Sequence, residues 1–348
     1  MPAGTVTRQV CAETGMLATD ACPTVTSETY NEGSEPTEYC TNHPGKPLPS
    51  SGTSQPPSFP GGDGKLYQPG NYDRMFRGPV TLRYALQQSI NIPAIKLLRK
   101  VGTSLVASYA RRMGIRSPIG QNLSLALGTS EVTLFELTSA YSVFANRGIR
   151  TDPMFILKVE DKSGTVLEKN SPRPVEVLSE QTSAVMTSML QSVIDHGTGY
   201  PARAQGFTYP AAGKTGTMDD YMDAWFVGFT PSLVCGTWVG FDEKKPIGRG
   251  MTGARAALPI WADFMIGATR GQPVEDFPVP AGSVTRLVCS ETGMLATDAC
   301  PNVTGELFSE GSEPTEYCNA HPGHPLQSAP PPSPAEKETE TPAGGPPN

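Results

Sequence analysis

No stretch of the 348 residues approaches the run of about 18 apolar side chains that a bilayer-crossing helix needs. The opening residues, MPAGTVTRQVCAETG, lack a basic cluster followed by an apolar core, so the sequence predicts neither an anchor nor an export signal in this chain. Basic tracks are missing as well: 27 Lys and Arg are outnumbered by 34 Asp and Glu, giving a formal charge of −7. With nothing to neutralise a series of phosphates, nucleic acid is excluded as a partner. What is present is a hydrophobic content of 37%, enough in a chain of this length for one sizeable core with smaller appendages.

Helical periodicity is absent from both ends, where a repeat takes its place. Residues 2–48 align without a gap on residues 280–326, at an offset of 278, with 36 identities in 47 positions. TRQVCAETGMLATDACP returns as TRLVCSETGMLATDACP, and EGSEPTEYC returns unchanged. Each copy reads as a small loop-rich module, rich in Gly and Pro and too short to hold together without a staple.

Six of the seven cysteines lie in these copies: Cys11, Cys22 and Cys40 in the first, Cys289, Cys300 and Cys318 in the second. Three thiols cannot all pair, so the expectation is one disulfide and one leftover thiol per copy, as an oxidising compartment favours. Zinc is the alternative, because His43 follows Cys40 and His321 follows Cys318 in C-x-x-H spacing, giving each copy three sulfurs and an imidazole. The full spacing, C-x10-C-x17-C-x2-H, matches no common zinc knuckle, and no metal or other cofactor is expected.

Composition divides the chain into the first copy at 1–48, a Pro/Ser/Gly linker at 49–62, a central domain at 63–275, the second copy at 276–326 and a Pro-rich tail at 327–348. The linker is expected to be extended and the tail disordered. Within the central domain, VTLRYALQQSINIPAIKLLRKVG has apolar residues at helical spacing, interrupted by Pro93, and predicts two short helices meeting at Ser89 to Pro93. LVASYARRMG, EVTLFELTSAYSVFANRG and SEQTSAVMTSMLQSVIDHG are further helices, the last with Met186, Met189, Leu190 and Val193 on one face. MFILKVEDKSGTVLEKN predicts a hairpin, and AAGKTGTM, DAWFVGFTP and LVCGTWVGFDE predict three strands. The fold class is therefore α+β, an antiparallel sheet flanked by helices.

Two short motifs carry chemistry. Lys214-Thr215-Gly216-Thr217 sits on a predicted strand, where Gly216 admits close approach of a ligand backbone and the lysine with two hydroxyls can hold a carboxylate. Ser89-Ile90-Asn91 lies at the bend between two helices; alone such a triplet is an ordinary turn or cap. Together they match two parts of a three-part signature, Ser-x-x-Lys, Ser-x-Asn and Lys-Thr-Gly, of penicillin-binding proteins and class A β-lactamases. Three other features read as structural: His196 as a loop residue beside Gly197-Thr198-Gly199, Cys235 as a buried thiol in a strand, and Trp225 and Trp238 as core.

GPVTLRYALQQSINIPAIKLL, LALGTSEVTLFELTSAYSVFANRG, VIDHGTG, AAGKTGT and DAWFVGFTPSLVCGTWVGFD resemble, in order, blocks of the transpeptidase domain of class A penicillin-binding proteins. The cysteine module resembles the tail that follows this domain in some members. The resemblance implies a β-lactamase-like fold, peptidoglycan stem peptides and β-lactams as partners, an extracytoplasmic location, and acyl transfer from D-alanyl-D-alanine through a serine acyl-enzyme. On this resemblance Ser89 relays a proton, Asn91 holds the substrate amide or the catalytic lysine, and Lys214 biases the field around Ser89. Thr215 and Thr217 bind the terminal carboxylate, and the Thr217 N–H supplies half of an oxyanion hole.

One part of the signature is missing. The residues three positions before the eleven lysines are His43, Gly62, Pro93, Leu97, Phe155, Val159, Val166, Ala211, Phe241, Asp242 and Pro334, none of them a serine. Where the family places Ser-x-x-Lys, this chain has the first cysteine module and the linker. The expectation is a domain without its nucleophile and without the helix that carries it, inactive as written and with one sheet face left bare. Its alternatives are a binder that keeps the carboxylate pocket, or a segment that takes the missing helix from another chain.

Overall fold

A computed structural model describes residues 5–19, 21–31, 36, 38–44, 57–60 and 66–326. Most of the linker, and all of residues 327–348, lie outside them. Two compact units emerge, Met1–Ala281 and Gly282–Asn348.

The first unit begins with the first cysteine module, an antiparallel hairpin of β1 (Thr5–Cys11) and β2 (Val25–Asn31). Helices α1 (Leu82–Gln87), α2 (Asn91–Val101), α3 (Thr103–Arg112) and α4 (Leu134–Ala145) follow. The break between α1 and α2 falls before Asn91, and Pro93 lies inside the first turn of α2. Proline is tolerated there because first-turn N–H groups have no helical partner to lose. The predicted hairpin forms as β3 (Lys158–Glu160) and β4 (Val166–Lys169), its turn held by Asp161 accepting from the N–H groups of Ser163 and Thr165.

Helix α5 (Glu180–His196) precedes the sheet. Its buried stripe includes Ser183, Thr187, Leu190, Val193 and Ile194, so two small polar residues lie deeper than the predicted Met186 and Met189. The Ser183 hydroxyl donates to the Phe144 carbonyl at 3.1 Å, which removes the cost of burying it.

The sheet is β5 (Ala212–Thr217), β6 (Ala224–Phe229) and β7 (Val234–Val239), antiparallel, with β6 in the centre. Ala224 and Phe226 face one layer and Phe229 the other. On the first face a π-helical turn, Gly253–Ala257, leads into α6 (Leu258–Thr269), whose Trp261 meets Phe226 edge-on at 4.8 Å and Phe207 at 5.2 Å. On the second face Phe229 packs with Leu190 of α5 and with Tyr141 and Phe144 of α4.

Phe226 and Phe229 are both 0% exposed, which overturns the expectation of a bare face. Helices α4 and α5 supply the missing cover. A second correction concerns the tryptophans: Trp261 is the fully buried one, whereas Trp225 and Trp238 are half-buried, 6.2 Å apart, with the Trp238 indole donating to Asp223. Cys235 is also only half-buried, packed against the Trp261 layer.

The second unit repeats the hairpin as β8 (Ser283–Cys289) and β9 (Val303–Ser309). Its register, Cys289 opposite Val303, is that of Cys11 opposite Val25 shifted by 278. Closely similar sequence has produced the same register.

Helix α4 starts with a capping box in which Thr133 and Glu136 bond reciprocally. Glu136 also accepts from the Ser117 hydroxyl at 2.6 Å and from the N–H groups of Arg116 and Ser117, and these bonds, that from the Ser117 hydroxyl first, hold its carboxyl down to about 2. A carboxylate with a depressed folded pKa contributes stability above its ordinary value of 4.5 and loses it as pH falls toward 2. Glu136→Gln is therefore expected to lower the melting temperature at pH 7 and to narrow its gap to the parent at pH 3. A gap independent of pH in circular-dichroism melts contradicts this account.

Candidate functional site

Helix α1 ends with the Ser89 N–H donating to the Leu86 carbonyl and the Ile90 N–H to the Ala85 carbonyl, at 3.1 and 2.8 Å. This is the Schellman pattern, which calls for a left-handed residue after the helix. Ser89 fills that position with φ 55. Glycine is the usual occupant because it lacks the Cβ that makes this backbone costly, by about 1 kcal/mol.

From this strained position the Ser89 hydroxyl accepts a 2.8 Å hydrogen bond from Lys214 Nζ, across 125 residues of sequence. Lys214 also donates to the Thr215 carbonyl at 3.0 Å. The lysine stands on the second face of β5, in register with Val227, and burial pushes its ammonium down to about 8. The Thr215 hydroxyl is 2.7 Å from that of Thr198, just beyond α5. That loop is fixed to α1: the Thr198 N–H donates to the Gln87 carbonyl, and Gln87 Nε2 to the His196 carbonyl. A Cβ on Gly197 would lie 2.3 Å from the Gln87 oxygen, so only glycine allows this approach.

Thr217 Oγ1 accepts from the Gly253 N–H at 2.9 Å. Gly253 is confined in turn, since a Cβ there would come within 2.4 Å of the carbonyl oxygens of Gly216 and Trp225. Asn91 heads α2 and donates its side-chain amide to the Gly70 carbonyl at 2.8 Å. The structure thus gathers Ser89, Lys214 and Thr215, keeps Thr217 on the same strand with its hydroxyl engaged, and commits the Asn91 amide to the neighbouring loop.

Thr198 and Gly253 were missed in sequence. The signal for Thr198 was available, since Gly-Thr-Gly directly after a long helix is a turn that offers a hydroxyl. Chemically the arrangement gathers one ammonium and the Ser89, Thr215 and Thr198 hydroxyls, groups able to hold an anion.

A different grouping occurs in each cysteine module. Cys11, Cys22, Cys40 and His43 bring three sulfurs and an imidazole nitrogen within 4.8 Å of one another, and Cys289, Cys300, Cys318 and His321 do the same. All of these cysteines are free, so the single disulfide expected in each copy is not formed.

A family model described as the penicillin binding protein transpeptidase domain matches residues 53–239, and one described as the penicillin-binding protein 1A C-terminal domain matches both 1–45 and 279–323. The chain is 44% identical over 266 residues to penicillin-binding protein 1A of Aquifex aeolicus, covering 76% of this chain and 36% of the relative. Penicillin-binding protein 1A of Pseudomonas aeruginosa is 33% identical over 310 residues, covering 74% and 38%. The chain thus spans little more than a third of these curated relatives. The crystal structure of penicillin-binding protein 1A from Haemophilus influenzae superposes with a TM-score of 0.70 at 30% identity, over 76% of this chain and 45% of that one. PonA1 from Mycobacterium tuberculosis in complex with penicillin V superposes with a TM-score of 0.57 at 27% identity, over 65% and 64%.

Two outcomes follow from the geometry. Ser89→Ala and Ser89→Gly both remove the lysine's partner, but only glycine relieves the left-handed backbone, so the glycine variant is expected to be more stable by about 1 kcal/mol in urea unfolding. Equal stabilities would show that φ 55 carries no cost. The unfolded chain keeps the Lys214 proton up to its ordinary 10.5, whereas the folded chain releases it above about 8, so this residue's contribution to stability rises with pH between those values. Lys214→Met is expected to abolish that rise, measured as the slope of unfolding free energy against pH.

Proposed function

Because the chain belongs to the penicillin-binding protein transpeptidase family, we propose that it is the carboxylate-recognising part of a peptidoglycan cross-linking site, unable by itself to form an acyl-enzyme. The observation that carries this reading is the intact Lys214–Ser89 pair beside Thr215 and Thr198, in a chain where no serine precedes a lysine by three positions. The wall that receives the terminal carboxylate of a D-alanyl-D-alanine stem peptide, or of a β-lactam, is built. The activated hydroxyl that attacks the carbonyl is not.

Each remaining residue has a part in recognition. Lys214 supplies the positive charge, and its partial burial strengthens its attraction for an arriving carboxylate. Thr215 and Thr198 offer hydroxyl donors, already 2.7 Å apart. Ser89 fixes the ammonium in place and, in acyl transfer, stands where a proton passes toward the leaving amine. The Thr217 N–H is the part of an oxyanion hole that this chain can contribute. No described helix is long and apolar enough to cross a membrane. The peptidoglycan substrate would place the domain outside the cytoplasm.

Two measurements test the reading. After exposure to a fluorescent penicillin, the intact mass is expected to be unchanged; a covalent adduct on any serine overturns the proposal. In calorimetry, a peptide ending in D-Ala-D-Ala is expected to bind, and Lys214→Ala to weaken it at least tenfold, as loss of a partly buried charged hydrogen bond implies. Undiminished affinity in the variant removes Lys214 from the site.

A further inference from the structure

The two cysteine modules hold a set of groups that carboxylate recognition does not use. In the first, His43 Nδ1 lies 3.5 Å from Cys11 Sγ and 3.4 Å from Cys40 Sγ, with Cys22 in the same cluster. In the second, His321 Nδ1 lies 3.5 Å from Cys289 Sγ and 3.3 Å from Cys318 Sγ, with Cys300 completing it. Zinc–sulfur bonds of about 2.3 Å and zinc–nitrogen bonds of about 2.0–2.1 Å give a tetrahedron whose S···N edges are ~3.5 Å. The 3.3–3.5 Å separations of Nδ1 from Cys11, Cys40, Cys289 and Cys318 match those edges.

His43 Nε2 faces the Glu13 carboxylate at 3.2 Å, and His321 Nε2 faces Glu291 at 3.3 Å. Each imidazole thus has a carboxylate on Nε2 and turns Nδ1 toward the sulfurs, the carboxylate–histidine–metal arrangement of zinc sites. The sulfurs also receive donors: the Thr19 N–H points to Cys22 and the Thr14 hydroxyl to Cys40, with Thr297 and Thr292 as their counterparts. Buried Thr19 and Thr297 fix the histidine loops by donating to the carbonyls of His43 and His321 at 2.6 Å.

The modules also need such a centre. Their described buried residues are few, in the second copy Val288, Cys289, Ala296, Thr297, Leu307 and Cys318, and a domain of that size is rarely stable without a disulfide or a metal. Cys11, Cys40, Cys289 and Cys318 are 0–3% exposed, and Cys22 and Cys300 are half-buried.

We propose that each module binds one zinc ion in a closed Cys3His site, through Cys11, Cys22, Cys40 and His43 in the first and Cys289, Cys300, Cys318 and His321 in the second. Four protein ligands complete the tetrahedron, so neither ion keeps an open position for hydrolytic chemistry, and both act as structural staples. Binding releases the protons of the cysteine thiols to solvent and changes no oxidation state. Zinc held this way keeps the thiols from pairing in an oxidising compartment.

The full chain, purified with reductant, loaded with zinc and dialysed, is expected to hold about two zinc ions by elemental analysis. The double variant Cys11→Ser/Cys40→Ser is expected to retain one, and Cys235→Ser both. Glu13→Gln combined with Glu291→Gln is expected to keep the count but to weaken zinc by about 10- to 100-fold against a competing chelator. Cobalt substitution of the unaltered chain, which requires no variant to fold, is expected to give the intense visible bands of a tetrahedral thiolate site. Either of two results overturns the proposal: metal-free protein with seven thiols that titrate freely, or a mass lowered by one disulfide per module with one thiol left in each. Neither readout depends on a β-lactam or a stem peptide, so failure here is distinguishable from failure of the carboxylate site.

Discussion

The hydrogen bond between Lys214 and Ser89 joins the sheet to the helical layer, and the geometry of the cleft is arranged to make it possible. A partly buried ammonium is costly unless acceptors surround it, and here they come from a helix end and from the strand's own backbone. Three close backbone approaches hold those parts in place: the left-handed turn at Ser89, the contact of Gly197 with Gln87, and the contact of Gly253 with Gly216. Each is a point where an ordinary side chain or backbone preference has been set aside. Such exceptions cluster around one lysine, which sets it apart from a generic strand end.

The sheet can hold this position because both of its faces are covered from within the chain. Phe226 and Phe229 point in opposite directions from the central strand and both find aromatic partners, Trp261 and Phe207 on one side and Tyr141 and Phe144 on the other. Register then does the rest. Placing Val227 opposite Lys214 puts the lysine on the face lined by α4 and α5, while the Thr217 hydroxyl engages the π-helical turn that leads into α6.

Much of this was legible in the sequence, and the exceptions have physical reasons. The three strands followed from β-branched and aromatic runs between turn residues, and the helix–turn–helix around Ser89 from 3.6-residue spacing. Helix α6 went unread, although Leu258, Trp261, Ala262, Met265 and Thr269 recur at helical intervals, because Pro259 and a preceding π-helical turn obscure its start. The polar stripe of α5 was invisible because Ser183 hides its hydroxyl in a carbonyl bond that only the neighbouring helix supplies. Gly-Thr-Gly after α5 marked a turn with a hydroxyl, but the partner of Thr198, Thr215 17 residues on, is set by the tertiary fold and not by that local pattern. In the cysteine modules, thiol count favoured a disulfide over the four-group alternative, and the three-dimensional convergence of Cys22 with Cys11, Cys40 and His43 reverses that order.

The left-handed serine has a consequence for anyone seeking to harden this protein. Screens for thermostability favour exchanges that relax the backbone, and residue 89, the one strained position that also grips the ammonium, is an obvious target for a glycine. The route to a sturdier scaffold thus runs through the cleft and takes from Lys214 the hydroxyl that holds it, a conflict between durability and side-chain placement located in a single torsion angle.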